Sequence, residues 1–217
     1  MFDTATARRN MVDGQVRTAD VTNPDLIAAM LALPREQFVP SSLTEQAYVD
    51  SDLPIAAGRA LLKPMVFAKL LQAADVREGD HVLDVACGTG YSSAVLARLV
   101  NSVVALEEDQ ALVPQAKANL SGTGAGHVVV GARPLTEGWP DAAPYDLIFL
   151  NGATEIVPQA LGRQLKPNGR LACIFGRAPG TKAMIYRLAE GQLAGRPVFD
   201  AAAPLLPGFA APPTFVF

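Results

Sequence analysis

Cysteine is nearly missing from this chain: two in 217 residues, Cys87 and Cys173. That number and spacing make neither a disulfide framework nor a metal site, and both read as small buried side chains. Histidine is as scarce, with only His81 and His127, and neither stands in a catalytic spacing, so both read as structural. Charge is sparse and nearly balanced, 18 Lys and Arg against 21 Asp and Glu for a net charge of -3. No basic patch is visible, which argues against affinity for nucleic acid or an anionic membrane. No apolar stretch approaches the roughly twenty residues of a membrane span, and the first ten residues lack the apolar core of a signal peptide. A cytoplasmic location is the expectation that follows.

Hydrophobic residues, in contrast, make up 50% of the chain. A chain of this length fills one core well and two poorly. The sequence therefore predicts a single domain over residues 1–217, with an amino-terminal helical extension and loop over 1–64 and a sheet-based core over 65–217.

The chain is organised around residues 80–109. Residues 82–85 form a short apolar run broken only by Asp84, as expected of a strand buried on both faces of a parallel sheet. Gly88 and Gly90 then allow a sharp turn and a close approach to a ligand, because neither carries a Cβ. Apolar residues at helical spacing follow, over 91–100. A second apolar run, 103–106, ends at Glu107 and Glu108, about twenty residues past the turn, where an acid can accept hydrogen bonds from ribose hydroxyls. Turn and acid together point to an adenosine-containing cofactor and leave NAD, FAD and S-adenosylmethionine open. Two details favour S-adenosylmethionine: Asp84 suits an ammonium and a sulfonium and would repel a pyrophosphate, and Ser93 stands where a dinucleotide fingerprint prefers Gly or Ala.

Elsewhere the pattern predicts helices over residues 8–17 and 24–33, the second with Pro24 in its first turn. Residues 34–40, bounded by prolines, are expected to run extended over the surface. Residues 48–64 read as an irregular segment able to cover the cofactor site. A helix is expected over 65–74, then 112–120, with strands at 128–130 and 146–150, the latter ending at Asn151 on the edge where α/β sheets bind ligands. A helix over 156–165 closed by Pro167-Asn168-Gly169, a strand over 171–175, and last strands near 184–188, 198–199 and 215–217 complete the reading. Residues 204–213, rich in proline and alanine, read as loop.

The blocks Pro34-Arg35-Glu36-Gln37-Phe38-Val39-Pro40, Ala47-Tyr48-Val49-Asp50 and Leu53-Pro54-Ile55 resemble the amino-terminal signature of protein-L-isoaspartate O-methyltransferases. The loop from Asp84 to Gly90 resembles that family's cofactor loop, and Gly138-Trp139-Pro140 with Ala143-Pro144-Tyr145-Asp146 resembles its approach to the fourth strand. The similarity runs from about Met11 to Gly176. It implies a Rossmann-like class I S-adenosylmethionine-dependent methyltransferase: a mostly parallel sheet of about seven strands, helices on both faces and an amino-terminal helical extension. It implies that the acceptor is the carboxylate of an isoaspartyl residue in a damaged peptide or protein. Candidate cofactor contacts are Asp84, Ala86, Cys87, Gly88, Gly90, Tyr91, Glu107 or Glu108, Ala132, Arg133 and Asn151. Trp139 reads as an anchor for its turn.

The resemblance also places the substrate loop at residues 58–64, and there the chain departs from the pattern. The family usually reads Gly-Gln-Thr-Ile-Ser-Gln-Pro, whereas this chain has Gly58-Arg59-Ala60-Leu61-Leu62-Lys63-Pro64, so Ala60 and Leu62 stand where two hydroxyls are expected. Ala132 likewise stands for an aspartate that meets the adenine, a loss of roughly 0.5–1.5 kcal/mol if nothing replaces it. Arg59, Leu62 and Lys63 are the candidate substrate-loop residues: either cation could meet an acceptor carboxylate, or both could be solvated surface charges. Methylating a carboxylate demands positioning and exclusion of water more than acid or base groups, since the nucleophile is already ionised at neutral pH. Three readings stay open: the isoaspartyl enzyme, a methyltransferase with another acceptor, and a cofactor-binding regulatory protein without turnover.

Overall fold

The computed structural model describes residues 3–177, 179–189 and 191–212. Helix α1 (Thr4–Met11) is capped by Asp3, whose side chain accepts from the Thr6 N–H at 3.0 Å. A wide π turn over Val12–Val16 continues it. Helix α2 (Pro24–Ala32) starts at Asn23, which accepts from the N–H groups of Asp25 and Leu26, with Pro24 supplying a preset φ. Strands β1 (Leu53–Ala56) and β2 (Arg59–Leu61) pair antiparallel through a turn at Gly58, whose φ of 67° favours glycine. The chain then alternates through α3 (Pro64–Ala73), β3 (His81–Val85), α4 (Tyr91–Leu96), β4 (Ser102–Glu107), α5 (Leu112–Gly122), β5 (Val129–Ala132), β6 (Tyr145–Thr154), α6 (Gln159–Gly162) and β7 (Leu165–Phe175). It closes with the β8 (Lys182–Ala189) and β9 (Gln192–Asp200) hairpin.

The main sheet has seven strands in the order β5-β4-β3-β6-β7-β8-β9. β5 through β7 are parallel, and β8 and β9 add antiparallel at one edge. Period-two alternation divides the core. Val82, Ala105, Leu147 and Phe149 face the layer that includes α2, α3, α4 and α5, while Leu83, Val85, Leu106 and Ile148 face Leu161, Leu193, Leu206 and Phe209. Helices lie on both faces but unequally, since the second face is covered mainly by the four-residue α6 and the irregular chain around Leu206.

Several expectations are corrected. Residues 34–40 are neither extended nor superficial: Arg35–Phe38 forms a 3₁₀ turn with Arg35 and Phe38 both buried. The Arg35 guanidinium is held by the carbonyls of Ala47 and Leu62 and lies 4.7 Å from the Tyr91 ring centroid, so hydrogen bonds and a cation–π contact compensate its desolvation. Residues 53–61 are a hairpin rather than irregular. The helix after the glycine turn stops at Leu96, not at 100. Pro167-Asn168-Gly169 does not close a helix but lies inside β7, at a register irregularity where Asn168 takes a φ of 66°. The strand expected at 215–217 lies outside the described residues. Among the described residues no helix is long and apolar enough to cross a membrane.

Candidate functional site

The sheet order places the ends of β5, β4, β3 and β6 side by side, so Ala132, Glu107, the turn after Val85 and Asn151 share one carboxyl-terminal edge. This is where parallel α/β sheets bind ligands. Ala86 and Gly88, with φ of 58° each, and Gly90, with φ of 95°, bend the chain at the edge. Ala86 holds that left-handed conformation despite its Cβ, a strain of about 1–2 kcal/mol. The Cys87 N–H bonds the Leu106 carbonyl at 3.1 Å and fastens the turn to β4. Burial pushes the Cys87 thiol up, well away from thiolate chemistry at neutral pH.

Asp84 is fully buried under the turn. Its carboxylate accepts from Ser92 at 2.7 Å, Ser93 at 2.5 Å and the Asn151 amide at 2.6 Å. It therefore ties the first turn of α4 and the end of β6 to β3, and reaches the edge through Ser92 and Asn151. Burial raises its pKa from the ordinary 3.8 to about 6, against the lowering effect of those three hydrogen bonds. A raised carboxyl pKa stabilises the fold below the ordinary value and loses that contribution as pH rises through the folded value. Asp84→Asn has no such titration, so its unfolding free energy relative to the parent is expected to rise by roughly 3 kcal/mol between about pH 4 and about pH 8. Urea titrations at both pH values check this, and a difference independent of pH would refute it.

Glu107, also wholly buried, is the second carboxylate of the edge. It accepts from the main-chain N–H groups of Gly88 at 2.9 Å, Glu108 at 2.8 Å and Asp109 at 3.0 Å. Arg59 covers it from β2, with Nε at 2.9 and 3.1 Å from the two carboxylate oxygens and Nη2 at 2.9 Å from Oε1. Arg59 is only 5% exposed. Glu108 points away from the pair, is exposed, and accepts from the Leu135 N–H. Ala132 and Arg133 line an open hollow of about 250 Å³ with Glu108 and Gln110. Arg133 pairs with Asp141 at 2.7 Å and stacks over Trp139, whose ring fills the space beside Gly131.

A second, smaller space of only about 10 Å³ is lined by Ala60, Leu61, Leu62, Phe67, Ala86, Cys87, Tyr91, Ser92 and Asn151. Ile55 seals the turn from above, since a Cβ on Gly88 would stand 2.4 Å from its Cδ1. Leu62 is buried, and Lys63, half-buried before α3, makes no ion pair among the described residues while its N–H is held by Asp52 at 2.8 Å. Among the described residues, buried Tyr91 Oη and Arg35 Nη1 have no hydrogen-bond partner. His81 stacks on Tyr145 and bridges Ser102 and the Ala142 carbonyl, far from this chemistry in role, and His127 is exposed. Among the described residues no cluster of three or more His, Cys, Asp or Glu could hold a metal ion.

The edge thus gathers the cofactor candidates but separates Arg59 from Lys63: the first faces Glu107, the second stays unpaired. Two residues of the site escape sequence reasoning. Arg35, which holds the Leu62 carbonyl at 2.9 Å, looks like a surface cation between prolines, and Ile55 looks like any loop aliphatic. The polar groups fit a nucleoside in kind, with a strand-end acid as acceptor, main-chain N–H groups as donors and a Tyr91 hydroxyl that has no partner among the described residues. The room between Arg59 and Asn151 falls short of the ~300 Å³ at which small-molecule pockets begin.

A family model described as protein-L-isoaspartate(D-aspartate) O-methyltransferase matches residues 7–194. The protein-L-isoaspartate O-methyltransferase of Methylorubrum extorquens (strain PA1) is 39% identical over 192 residues, 88% of this chain and 82% of its own. That of Pelotomaculum thermopropionicum is 36% identical over 182 residues, 84% of this chain and 80% of its own. A solved protein-L-isoaspartate O-methyltransferase superposes with a TM-score of 0.79 at 24% identity, over 93% of this chain and 66% of that one. A Plasmodium falciparum structure in complex with S-adenosyl-L-homocysteine gives 0.77 at 17% identity, over 95% of this chain and 99% of that one. At those identities the structural likeness speaks for the fold.

Proposed function

The chain belongs to the protein-L-isoaspartate O-methyltransferase family, and from that membership we propose that it methylates a carboxylate with S-adenosylmethionine, the acceptor being an isoaspartyl residue in a peptide or protein. The observation that carries the reading is the meeting of the glycine turn with Glu107, through the Gly88 N–H, at the carboxyl edge of a parallel sheet. Glu107 is the acceptor for ribose hydroxyls, Ala132 and Arg133 flank the hollow for the base, and Asn151 and Ser92, fixed by Asp84, line the inner end. S-adenosylmethionine bound there supplies a methyl group already activated by its sulfonium.

The chain's own residues do the rest by position. Lys63, at the end of the substrate loop immediately before α3, is the cation suited to orient the acceptor carboxylate. Leu61, Leu62 and Phe67 give an apolar wall that keeps water from the reacting oxygen. Arg35 holds that wall by its bond to the Leu62 carbonyl. A cytoplasmic setting is part of the same proposal.

A second reading, the same transfer to a different acceptor, draws on Ala60 and Leu62, which bring no hydroxyl to the loop. Purified protein incubated with labelled cofactor and an isoaspartyl peptide tests both. The double variant Ala60→Thr/Leu62→Ser is expected to raise kcat/KM for that peptide about tenfold to a hundredfold, the value of two recovered hydrogen bonds. Rapid methylation by the unaltered chain, with no gain in the double variant, would show that the hydroxyls are dispensable. No methylation by either would exclude the isoaspartyl acceptor.

A further inference from the structure

We propose that Arg59 is an intramolecular competitor of the cofactor's ribose for Glu107, so that the β1–β2 hairpin sets the affinity of the crevice for S-adenosyl nucleosides. The inference rests on the reading of this edge as a nucleoside site. A carboxylate offers about four lone-pair positions. Glu107 already receives three main-chain N–H groups and the Arg59 fork, at 2.8 to 3.1 Å. Ribose hydroxyls have no acceptor to donate to until Arg59 withdraws.

Space gives the same answer independently. The hollow at Ala132 and the small space at Asn151 are separate and must join for one nucleoside to reach from the base to the reacting centre; Ala60, next to Arg59, lines the second, Glu108, next to Glu107, lines the first, and the Arg59–Glu107 pair links the two segments. Ile55 of the same hairpin seals the turn at Gly88. A single displacement of the hairpin removes the charge, the link and the seal together. Its turn is exposed at Ala57 and Gly58, with the Pro207 ring beside Gly58 as the contact the movement has to break. Arg59 can leave with one acceptor retained, since Nη1 already donates to the Gly58 carbonyl at 3.1 Å. The apparent dissociation constant is then the intrinsic one divided by the fraction of molecules with the hairpin lifted.

The test is calorimetry of the full chain with S-adenosylhomocysteine, comparing the parent, Arg59→Gln and Ile55→Ala, with thermal melts to confirm folding. Arg59→Gln is expected to bind about tenfold tighter or more, and Ile55→Ala tighter by a smaller factor, because it loosens the seal while leaving Arg59 in place. If Arg59→Gln does not fold, Ile55→Ala decides: tighter binding supports the proposal and unchanged binding overturns it. Parent protein that binds well, with Arg59→Gln equal or weaker, overturns the competition and leaves the methyltransferase reading standing. No heat from any of the three at about millimolar nucleoside overturns both, since Arg59 would then not be what limits binding.

Discussion

Glu107→Ala is expected to lower the unfolding free energy by about 3–5 kcal/mol, a large part of the 5–15 kcal/mol that holds a typical domain together. The reason is the number of groups that depend on one carboxylate. Its removal strands the buried Arg59 guanidinium, leaving the Gly58 carbonyl as its remaining acceptor, and strips the Gly88, Glu108 and Asp109 N–H groups of theirs. The converse change is milder. Arg59→Met leaves Glu107 with three main-chain donors, so it is expected to destabilise by about 1–2 kcal/mol. Urea midpoints at constant m measure both, and the combination Arg59→Met/Glu107→Leu should recover only the part of the loss that comes from the stranded guanidinium, since the three main-chain N–H groups still lack their acceptor. Equal losses for the two single changes would mean that the main-chain donors contribute nothing to holding Glu107. In the Arg59→Gln background, Glu107→Ala is also expected to abolish the heat of S-adenosylhomocysteine binding.

The same pair shows where sequence reading stops. β3 and β4 are legible because strands buried on both faces of a parallel sheet are continuous apolar runs, and an acid ending such a run is conspicuous. The glycine turn is legible because only small residues take its dihedrals readily. The Arg59–Glu107 pairing is not, since a loop cation reads as a partner for an acceptor carboxylate or as a solvated charge, and its actual partner lies 48 positions away. The strand of Arg59 is three residues long, and the neighbouring β1 carries Pro54, so neither shows the alternation by which strands are recognised. Arg35 is hidden in the same way: two carbonyls and an aromatic face compensate its charge, and all of them come from distant segments. Pro167-Asn168-Gly169 misleads for a local reason. The signal for a chain reversal is real, as the left-handed Asn168 attests, but the reversal is absorbed by an irregularity in β7 rather than by the end of a helix. Local chemistry therefore announces the glycine turn and the strand-end acid at the carboxyl edge, while the segments that pack on it are held by pairings that no window of sequence contains.

Arg170→Met is expected to cost about 3–5 kcal/mol of stability with no change in nucleoside affinity, and the contrast with Glu107 is the point of the measurement. Arg170 is 5% exposed on β7. Its guanidinium binds both oxygens of buried Asp80 and donates to the carbonyls of Ala74 at 2.7 Å, Asp75 at 2.5 Å and Asp146 at 3.0 Å. One planar fork thus satisfies the carbonyls that α3 leaves open at its end, fixes the left-handed Asp75, and joins that turn to β6 and β7. Lysine cannot reproduce the geometry, so Arg170→Lys should recover little of the loss. Asp80 immediately precedes β3, whose far end carries the glycine turn, so the whole length of the strand separates this ion pair from Glu107. Chemical denaturation and calorimetry on the same samples make the check: a lower midpoint with an unchanged dissociation constant, measured on the folded fraction, is the expected pair of results. A nucleoside affinity that falls with Arg170→Met would mean that strain at the amino edge of the sheet reaches the carboxyl edge, and that the two ends of β3 do not act independently.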